Sequence, residues 1–215
     1  DYIESEGRDR KNTDLPLDQK NLLKKIYEVN ENIVLILING STISLPCANK
    51  HIPAIIEAWY PGQSGGKAIA EVLFGDYNPG GKLPMTFYNG INDLPPFDDY
   101  DVRNGRTYMY FEGEPLYPFG YGLSYTNFEL KNVSLNKTNF SKSDTLQITF
   151  NITNTGLRHG SEVPQLYIEQ NGIKKLRAFQ RIFLNKDESL ESFMKVAIED
   201  FQSWDLIENK YVVKT

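Results

Sequence analysis

A layered α/β module followed by an all-β sandwich is the fold class that the sequence predicts. A continuous apolar run at residues 33–38 follows a helix-periodic stretch, and a glycine-rich turn at residues 62–66 leads into a second helical stretch. From residue 128 on, short runs with partial alternation are separated by turn residues. A chain of 215 residues accommodates two compact modules of about 100 residues each. We place their boundary between residues 126 and 127.

The first module opens with a helix followed by a strand. Residues 17–30 carry apolar side chains at helical spacing, namely Leu22, Leu23, Ile26 and Val29. Residues 33–38 read IVLILI, and a short, continuous, β-branched run is typical of a parallel strand that is buried on both faces. We therefore expect a mostly parallel sheet, as in part of an α/β sandwich.

The rest of the first module alternates strands and helices. Residues 43–45, 54–59 and 83–88 are candidate strands, and residues 67–74 are a candidate helix. The Asn-Pro-Gly-Gly sequence at residues 78–81 is a strong turn signal. Helix, strand, loop, strand, helix, strand is the order of an α/β layered fold.

A long irregular segment joins the two modules. Residues 89–122 are rich in Pro, Gly, Asp and aromatics without a regular period, which is typical of a functional loop or a connector. The strands predicted beyond it are residues 130–135, 146–153, 163–169, 176–184, 193–198 and 211–213. Their spacing favours an antiparallel sandwich of the immunoglobulin type. Six strands are visible where seven would be usual, so we expect residues 127–215 to be a C-terminally truncated sandwich.

Composition argues against several classes of partner and site. The chain has 28 acidic and 23 basic residues and no long basic run, which gives little support to nucleic-acid binding. Its longest apolar run is far too short to span a membrane. The single cysteine, Cys47, excludes a disulfide framework and is expected in the core, and His51 and His159 are too isolated to suggest a metal site. The glycines of residues 62–66 match no phosphate-binding fingerprint, so no metal or organic cofactor is expected.

The segment IESEGRDR at residues 3–10 carries the densest charge in the chain. It places Glu4 and Glu6 close together in a polar loop ahead of the first helix. Paired carboxyl groups serve acid/base chemistry when burial or a neighbouring charge raises the pKa of one of them. The alternative interpretation is that Glu4, Glu6, Asp9 and Arg10 form a solvated charged terminus.

Four stretches, taken in order, resemble one enzyme family. They are IESEGRDR at residues 3–10, WYPGQSGGKAIAEVLFGDYNPGGKLPM at residues 59–85, the GRTYMYF and YPFGYGLSYTNF sequences within residues 105–128, and VPQLYI, LRAFQRIFL and DFQSWD within residues 163–204. Together they resemble the C-terminal part of family 3 glycoside hydrolases, the β-xylosidases and β-glucosidases. The resemblance implies the second half of the family's α/β sandwich domain, followed by its fibronectin type III-like domain.

The resemblance also implies a division of catalytic labour. The family's nucleophilic Asp lies in a (β/α)8 barrel, for which this sequence has no counterpart. By resemblance, Glu6 is the first candidate for the general acid/base and Glu4 the second, with Asp9 and Arg10 supporting the loop. The implied activity is exo-acting, retaining hydrolysis of terminal β-linked xylose or glucose. The implied partners are a carbohydrate substrate and the missing barrel domain, so the chain alone is expected to be inactive.

Two further expectations stay open at the level of sequence. A non-catalytic carbohydrate-binding fragment, or a purely structural one, is the rival to an enzyme fragment. Five Asn-X-Ser/Thr sequons favour a secreted or extracellular protein, at Asn39, Asn132, Asn136, Asn139 and Asn151. We expect Asn39 to be a poor glycan site because it follows a buried strand.

Overall fold

In the computed structural model, the described residues are 10–205, 207 and 210–212. The chain folds as two compact units. The first unit comprises the residues up to Tyr77 together with Lys82–Tyr121. The second comprises Asn78–Gly81 and the residues from Gly122 on. The boundary proposed at residues 126/127 stays a prediction.

The first unit contains helices and a parallel strand pair. Its elements are α1 (Leu17–Val29), β1 (Val34–Leu37), α2 (Pro46–His51), β2 (Ala54–Glu57), α3 (Gly65–Phe74), a 3-10 turn at Ile91–Asp93, and α4 (Thr107–Tyr110). β1 pairs in parallel with β2, so that Val34 lies opposite Ala54 and Leu37 opposite Glu57. No helix in the described part of the chain combines the length and the apolar character that a membrane crossing requires.

A small core lies where α1 meets β1 and the residues that follow it. Its buried members are Leu15, Leu37, Ile43, Leu45, Ala48 and Ile52. Leu23 and Tyr27 of α1 pack against this core. The prediction that β1 is buried on both faces is wrong, since Val34 is 46% exposed and only Leu37 is fully buried. The reason is that β1 has a single strand neighbour in the described part of its sheet.

Three local predictions for the first unit are wrong. Residues 43–45 contribute one parallel bridge, from Ser44 to Asp14, and α2 then begins with Pro46 in its first turn, where the missing N–H costs nothing. Residues 83–88 form no strand beyond the single bridge of Phe87 to Tyr117, because Pro84 cannot donate to a strand ladder. Cys47 is exposed on α2 instead of lying in the core.

The second unit is all β. Its strands are β3 (Phe128–Leu135), β4 (Thr145–Asn154), β5 (Gly160–Glu162), β6 (Gln165–Gln170), β7 (Ile173–Phe179), β8 (Ile182–Leu184), β9 (Ser189–Ala197), β10 (Ser203–Asp205) and β11 (Lys210–Val212). All described pairs are antiparallel, with β4 between β3 and β9. The strand expected at residues 176–184 is divided into β7 and β8, while β5 and β10 lie outside the predicted strands. Phe150, Ile152, Ile182, Leu184 and Met194 form the core.

Candidate functional site

The candidate acid/base segment reaches the described structure only at its last residue. Glu4, Glu6 and Asp9 lie outside the described residues. Arg10 is partly buried, and its Nη2 donates to the Ser41 hydroxyl and to the Thr42 carbonyl oxygen, each at 2.7 Å. The support that Asp9 and Arg10 are expected to give this loop stays a prediction. The contacts that are described anchor Arg10 to the loop that follows β1.

Residues 13 and 14 extend this attachment. The Thr13 carbonyl accepts the Ser44 N–H at 2.7 Å, and the two hydroxyl groups of these residues lie 2.6 Å apart. The Ser44 hydroxyl is also 2.8 Å from the Tyr88 carbonyl, and Asp14 bridges to Ser44 in parallel. Residues 10–14 are therefore attached at several points to residues 41–44. We call residues 41–44 the seat of Arg10, because they hold the residue at which the charged motif ends.

The seat lies at the carboxyl edge of the parallel pair. The loop of residues 39–42 follows β1 by one residue, and Glu57 ends the neighbouring strand β2. Ligand sites of α/β sheets are found outside the carboxyl ends of parallel strands. The Tyr60 ring lies close over Gly40, where an added Cβ would be 2.6 Å from the ring. Tyr60 is 69% exposed, so it is not a core residue.

The Asn39 amide organises this edge. Its Nδ2 donates to the Ser41 carbonyl at 2.7 Å and to Glu57 Oε2 at 3.3 Å. Both partners are acceptors, which fixes the orientation of the amide. Its Oδ1 is buried and has no hydrogen-bond partner among the described residues. Because Asn39 is only 9% exposed and its nitrogen is engaged, its sequon is inaccessible to a glycan in this fold, in agreement with the sequence-based expectation.

Glu57 is the acidic side chain of this edge. Its Oε1 accepts the Trp59 N–H at 3.0 Å, and its Oε2 accepts from Asn39. Burial raises the pKa of Glu57, and the hydrogen bonds from Trp59 and Asn39 oppose that rise only in part. Carboxyl groups with a raised pKa cluster at functional sites. With both oxygens engaged within the chain, Glu57 is suited to orient the loop.

Backbone strain marks the same edge. Trp59 has a φ of +51°, which is unfavourable for a residue with a bulky side chain. Its indole packs edge-on against Phe87, with ring centroids 6.1 Å apart. Strained residues of this kind persist where surrounding contacts hold them, and they concentrate at functional sites. Here the hydrogen bond to Glu57 and the contact with Phe87 hold Trp59.

Sequence reasoning missed Asn39 and Glu57 as a pair. Glu57 reads as the polar end of an apolar strand, and Asn39 reads as a turn residue before Gly40. A usable signal was present, since both residues follow or end predicted parallel strands, whose carboxyl ends lie at one edge of a sheet.

A second ordered region lies in the segment that resembles the family's GRTY sequence. The Arg106 guanidinium donates to the carbonyls of Asp99 at 3.1 Å and Pro96 at 2.7 Å. Thr107 has a φ of +63° and donates its N–H to the Tyr88 hydroxyl at 3.0 Å. Burial is the main cause that raises the pKa of Tyr88. Arg106 therefore holds residues 95–107 as an ordered loop.

Within the described residues, no group of three His, Cys, Asp or Glu side chains lies close enough to hold a metal ion. The functional features of this part of the chain are hydrogen-bonding and carboxyl groups. Those of Asn39 and Glu57 lie at the carboxyl edge of β1 and β2, next to Ser41, which binds Arg10.

Comparison with known proteins identifies the parts of the chain. Residues 1–125 match the glycosyl hydrolase family 3 C-terminal domain, and residues 162–215 match the fibronectin type III-like domain. These matches confirm the order of the two predicted modules, an α/β domain followed by a fibronectin type III-like domain.

Individual relatives agree with the family match. The chain is 41% identical over 204 residues to a xylan 1,4-beta-xylosidase of Xylanibacter ruminicola, covering 93% of this chain and 23% of that protein. It is 34% identical over 218 residues to a periplasmic beta-glucosidase of Salmonella typhimurium, covering 93% of this chain and 28% of that protein. A beta-glucosidase structure from Kluyveromyces marxianus superposes with a TM-score of 0.89 at 31% identity, over 98% of this chain and 27% of that one.

The chain spans about a quarter of the length of these curated relatives. The resemblance inferred from the four sequence stretches is confirmed, because the family domain accounts for residues 1–125 of the 215. This chain belongs to glycosyl hydrolase family 3.

Proposed function

We propose that this chain supplies the general acid/base of an exo-acting, retaining β-glycosidase that hydrolyses terminal β-linked xylose or glucose. The nucleophile comes from a barrel domain elsewhere in the same protein. Relatives named as β-xylosidase and β-glucosidase support the substrate class. The observation that carries the proposal is the anchoring of Arg10, the last residue of the charged motif, beside the carboxyl edge of a parallel strand pair.

A retaining glycosidase needs two carboxyl groups about 5–5.5 Å apart, of which one is the nucleophile and the other the acid/base. The acid first protonates the glycosidic oxygen as that bond breaks. In the second step the same group, now a carboxylate, takes a proton from the water that attacks the glycosyl-enzyme intermediate. We assign this role to Glu6, with Glu4 as the alternative, and assign Asp9 and Arg10 to holding the segment in place. This chemistry requires no cofactor.

The test is a pair of substitutions in the full-length enzyme, Glu6→Gln and Glu4→Gln. General acid catalysis contributes about 10²–10⁴-fold, so loss of the acid should lower the turnover of alkyl β-xylosides or disaccharides by that factor. Aryl glycosides with an activated leaving group need little protonation and should keep most of their glycosylation rate. Added azide should restore the second step, because it attacks without a general base.

The matched control is Glu28→Gln, the same chemical change at an exposed position on α1. It should behave as wild type with every substrate. If Glu4→Gln alone gives the dependence on leaving group, the acid/base is Glu4. If neither substitution gives it, the chain is not the source of the acid, and the carbohydrate-binding or structural alternative gains. Purified residues 1–215, which we propose lack a nucleophile, should show no turnover above background.

A further inference from the structure

A continuous path of hydrogen bonds connects the end of β2 with Arg10. Glu57 Oε2 accepts from Asn39 Nδ2 at 3.3 Å, and the same nitrogen donates to the Ser41 carbonyl at 2.7 Å. The Ser41 hydroxyl in turn accepts from Arg10 Nη2 at 2.7 Å. The path passes through Ser41 itself, whose carbonyl oxygen accepts from Asn39 and whose hydroxyl accepts from Arg10.

Glu57 itself is held firmly at the other end of the path. Its Oε1 accepts the N–H of Trp59, whose φ of +51° requires the backbone to be restrained. The carboxylate lies in a partly buried place, and burial raises its pKa, so the charged side chain is retained there against its own solvation. The carboxylate thus holds Trp59 and Asn39 in place at a cost in its own solvation.

The Asn39 amide points to the same conclusion. A buried amide that serves only the fold normally has both its nitrogen and its oxygen paired. Asn39 has two acceptors on its nitrogen and none of the described donors on its buried Oδ1. Rules of polar satisfaction are broken mainly where a residue serves function. Asn39 is placed to bring Glu57 and the Ser41 carbonyl together.

We propose that Glu57 is a positioning residue for the acid/base segment at residues 3–10, acting through Asn39 and Ser41 on Arg10. This inference rests on the proposed function of that segment. Its consequence falls on the proton transfers of this one group, to the leaving group in the first step and from the attacking water in the second, because an acid/base that shifts by about 1 Å can lose about 10²-fold in rate. Steps that do not need the acid are spared.

The experiment is Glu57→Gln in the full-length enzyme, with Glu28→Gln as the control. A glutamine replaces one carboxylate oxygen with an NH2 group, which would face either the Trp59 N–H or the Asn39 amide nitrogen as donor against donor. We expect kcat/KM for an alkyl β-xyloside or xylobiose to fall about 10-fold or more, relative to kcat/KM for 2,4-dinitrophenyl β-xyloside. Glu28→Gln should leave this ratio unchanged. A uniform fall on both substrates, or no change, would overturn the inference.

Ser41→Ala provides an independent measurement at the other end of the path. It removes the hydroxyl that accepts from Arg10 while leaving Glu57 and Asn39 in place. It should reproduce the selective loss even if Glu57→Gln does not fold, and an unchanged ratio in Ser41→Ala also contradicts the proposal. Glu6→Gln and Glu4→Gln, measured in parallel, distinguish a failure of the positioning role of Glu57 from a failure of the proposed function. If one of them shows the dependence on leaving group and Glu57→Gln does not, the positioning role fails while the proposed function stands.

Discussion

Two buried asparagines, Asn39 in the first unit and Asn154 in the second, use their amides in different ways. Asn154 is fully buried, and its oxygen accepts from the Thr126 hydroxyl at 2.6 Å and from the Gly156 N–H at 3.1 Å. Its nitrogen donates to the carbonyls of Arg158 at 2.7 Å and Leu184 at 3.2 Å. Asn39 has two hydrogen bonds on its nitrogen and a buried oxygen to which no group in the described part of the chain donates.

A second asparagine of the β unit follows the pattern of Asn154. Asn78 Nδ2 donates to the His159 carbonyl at 2.8 Å, and its oxygen accepts from the Ser124 hydroxyl and the Tyr125 N–H. In this unit buried amides connect strands and loops, and each is paired on both sides. From this difference we infer that Asn78 and Asn154 serve the scaffold of the β unit, whereas Asn39 serves the proposed site at the edge of β1 and β2.

The largest expected effect is on stability, and it tests whether Asn154 is scaffold. Asn154→Ala leaves buried donors at Thr126 and Gly156 and two carbonyls without partners, so unfolding should require about 3–5 kcal/mol less free energy. Asn39→Ala removes two donated bonds but also an unpaired buried oxygen, and should cost about 1 kcal/mol or less. Urea unfolding of the 215-residue chain, followed by circular dichroism, measures both.

Asn21→Ala on the exposed face of α1 is the control for these two variants and should change stability by no more than about 0.5 kcal/mol. Equal losses at Asn39 and Asn154 would remove the distinction between a scaffold amide and a site amide. A larger loss at Asn39 would reverse it.

The sequence was informative where local pattern decides structure. The periodicity of α1 and the apolar run of β1 predicted those elements. The strand predicted at residues 54–59 begins where β2 begins and ends two residues beyond it. The pattern of two predicted parallel strands indicated a shared edge for Asn39 and Glu57, but not their hydrogen bond, which depends on the register that brings residues 18 positions apart together. Burial was also overestimated, since an apolar run indicates a strand without saying how many neighbours cover it.

The residues of the candidate site also differ in whether a local sequence pattern indicates them. Glu4, Glu6, Asp9 and Arg10 were proposed because they form a compact motif in sequence, and their role stays a prediction, whereas the family resemblance, which four such local motifs carried, is confirmed. Glu57 was missed because its significance arises only from tertiary hydrogen bonds. Motifs therefore identify catalytic candidates, while the residues that hold them in place require a structure.

The next prediction concerns the pH dependence that Glu57 imposes on folding. Its pKa is raised above the ordinary value of 4.5, so between 4.5 and the folded pKa the native chain binds more protons than the unfolded chain. The free energy of unfolding therefore falls as pH rises through this window. Wild type should gain stability relative to Glu57→Gln on acidification from neutral pH to about 4.5. Thermal unfolding of both proteins across this range measures the gain, and a constant difference would contradict the burial of the charge.

The smallest expected effect lies in the β unit and has the opposite sign. Asp144 accepts from Lys137 Nζ at 2.6 Å and from the Ser141 N–H at 2.6 Å. The bond from Lys137, followed by those from Ser141, lowers the pKa of Asp144 from 3.8 to about 2. Between these values the unfolded chain binds more protons than the native chain, so stability present above pH 3.8 is lost as the pH falls to about 2. Asp144→Asn should remove this acid-side loss.

The control for that variant is Asp187→Asn, at an exposed turn where the nearest lysine nitrogen is 3.8 Å from the carboxylate. It should leave the curve of melting temperature against pH with its wild-type shape. Because the window of Glu57 lies above pH 4.5 and that of Asp144 below pH 3.8, one acid titration separates the two contributions. If stability instead rises as pH falls through the lower window, Asp144 does not act as a scaffold carboxylate. The contrast between the two units would then rest on their asparagines alone.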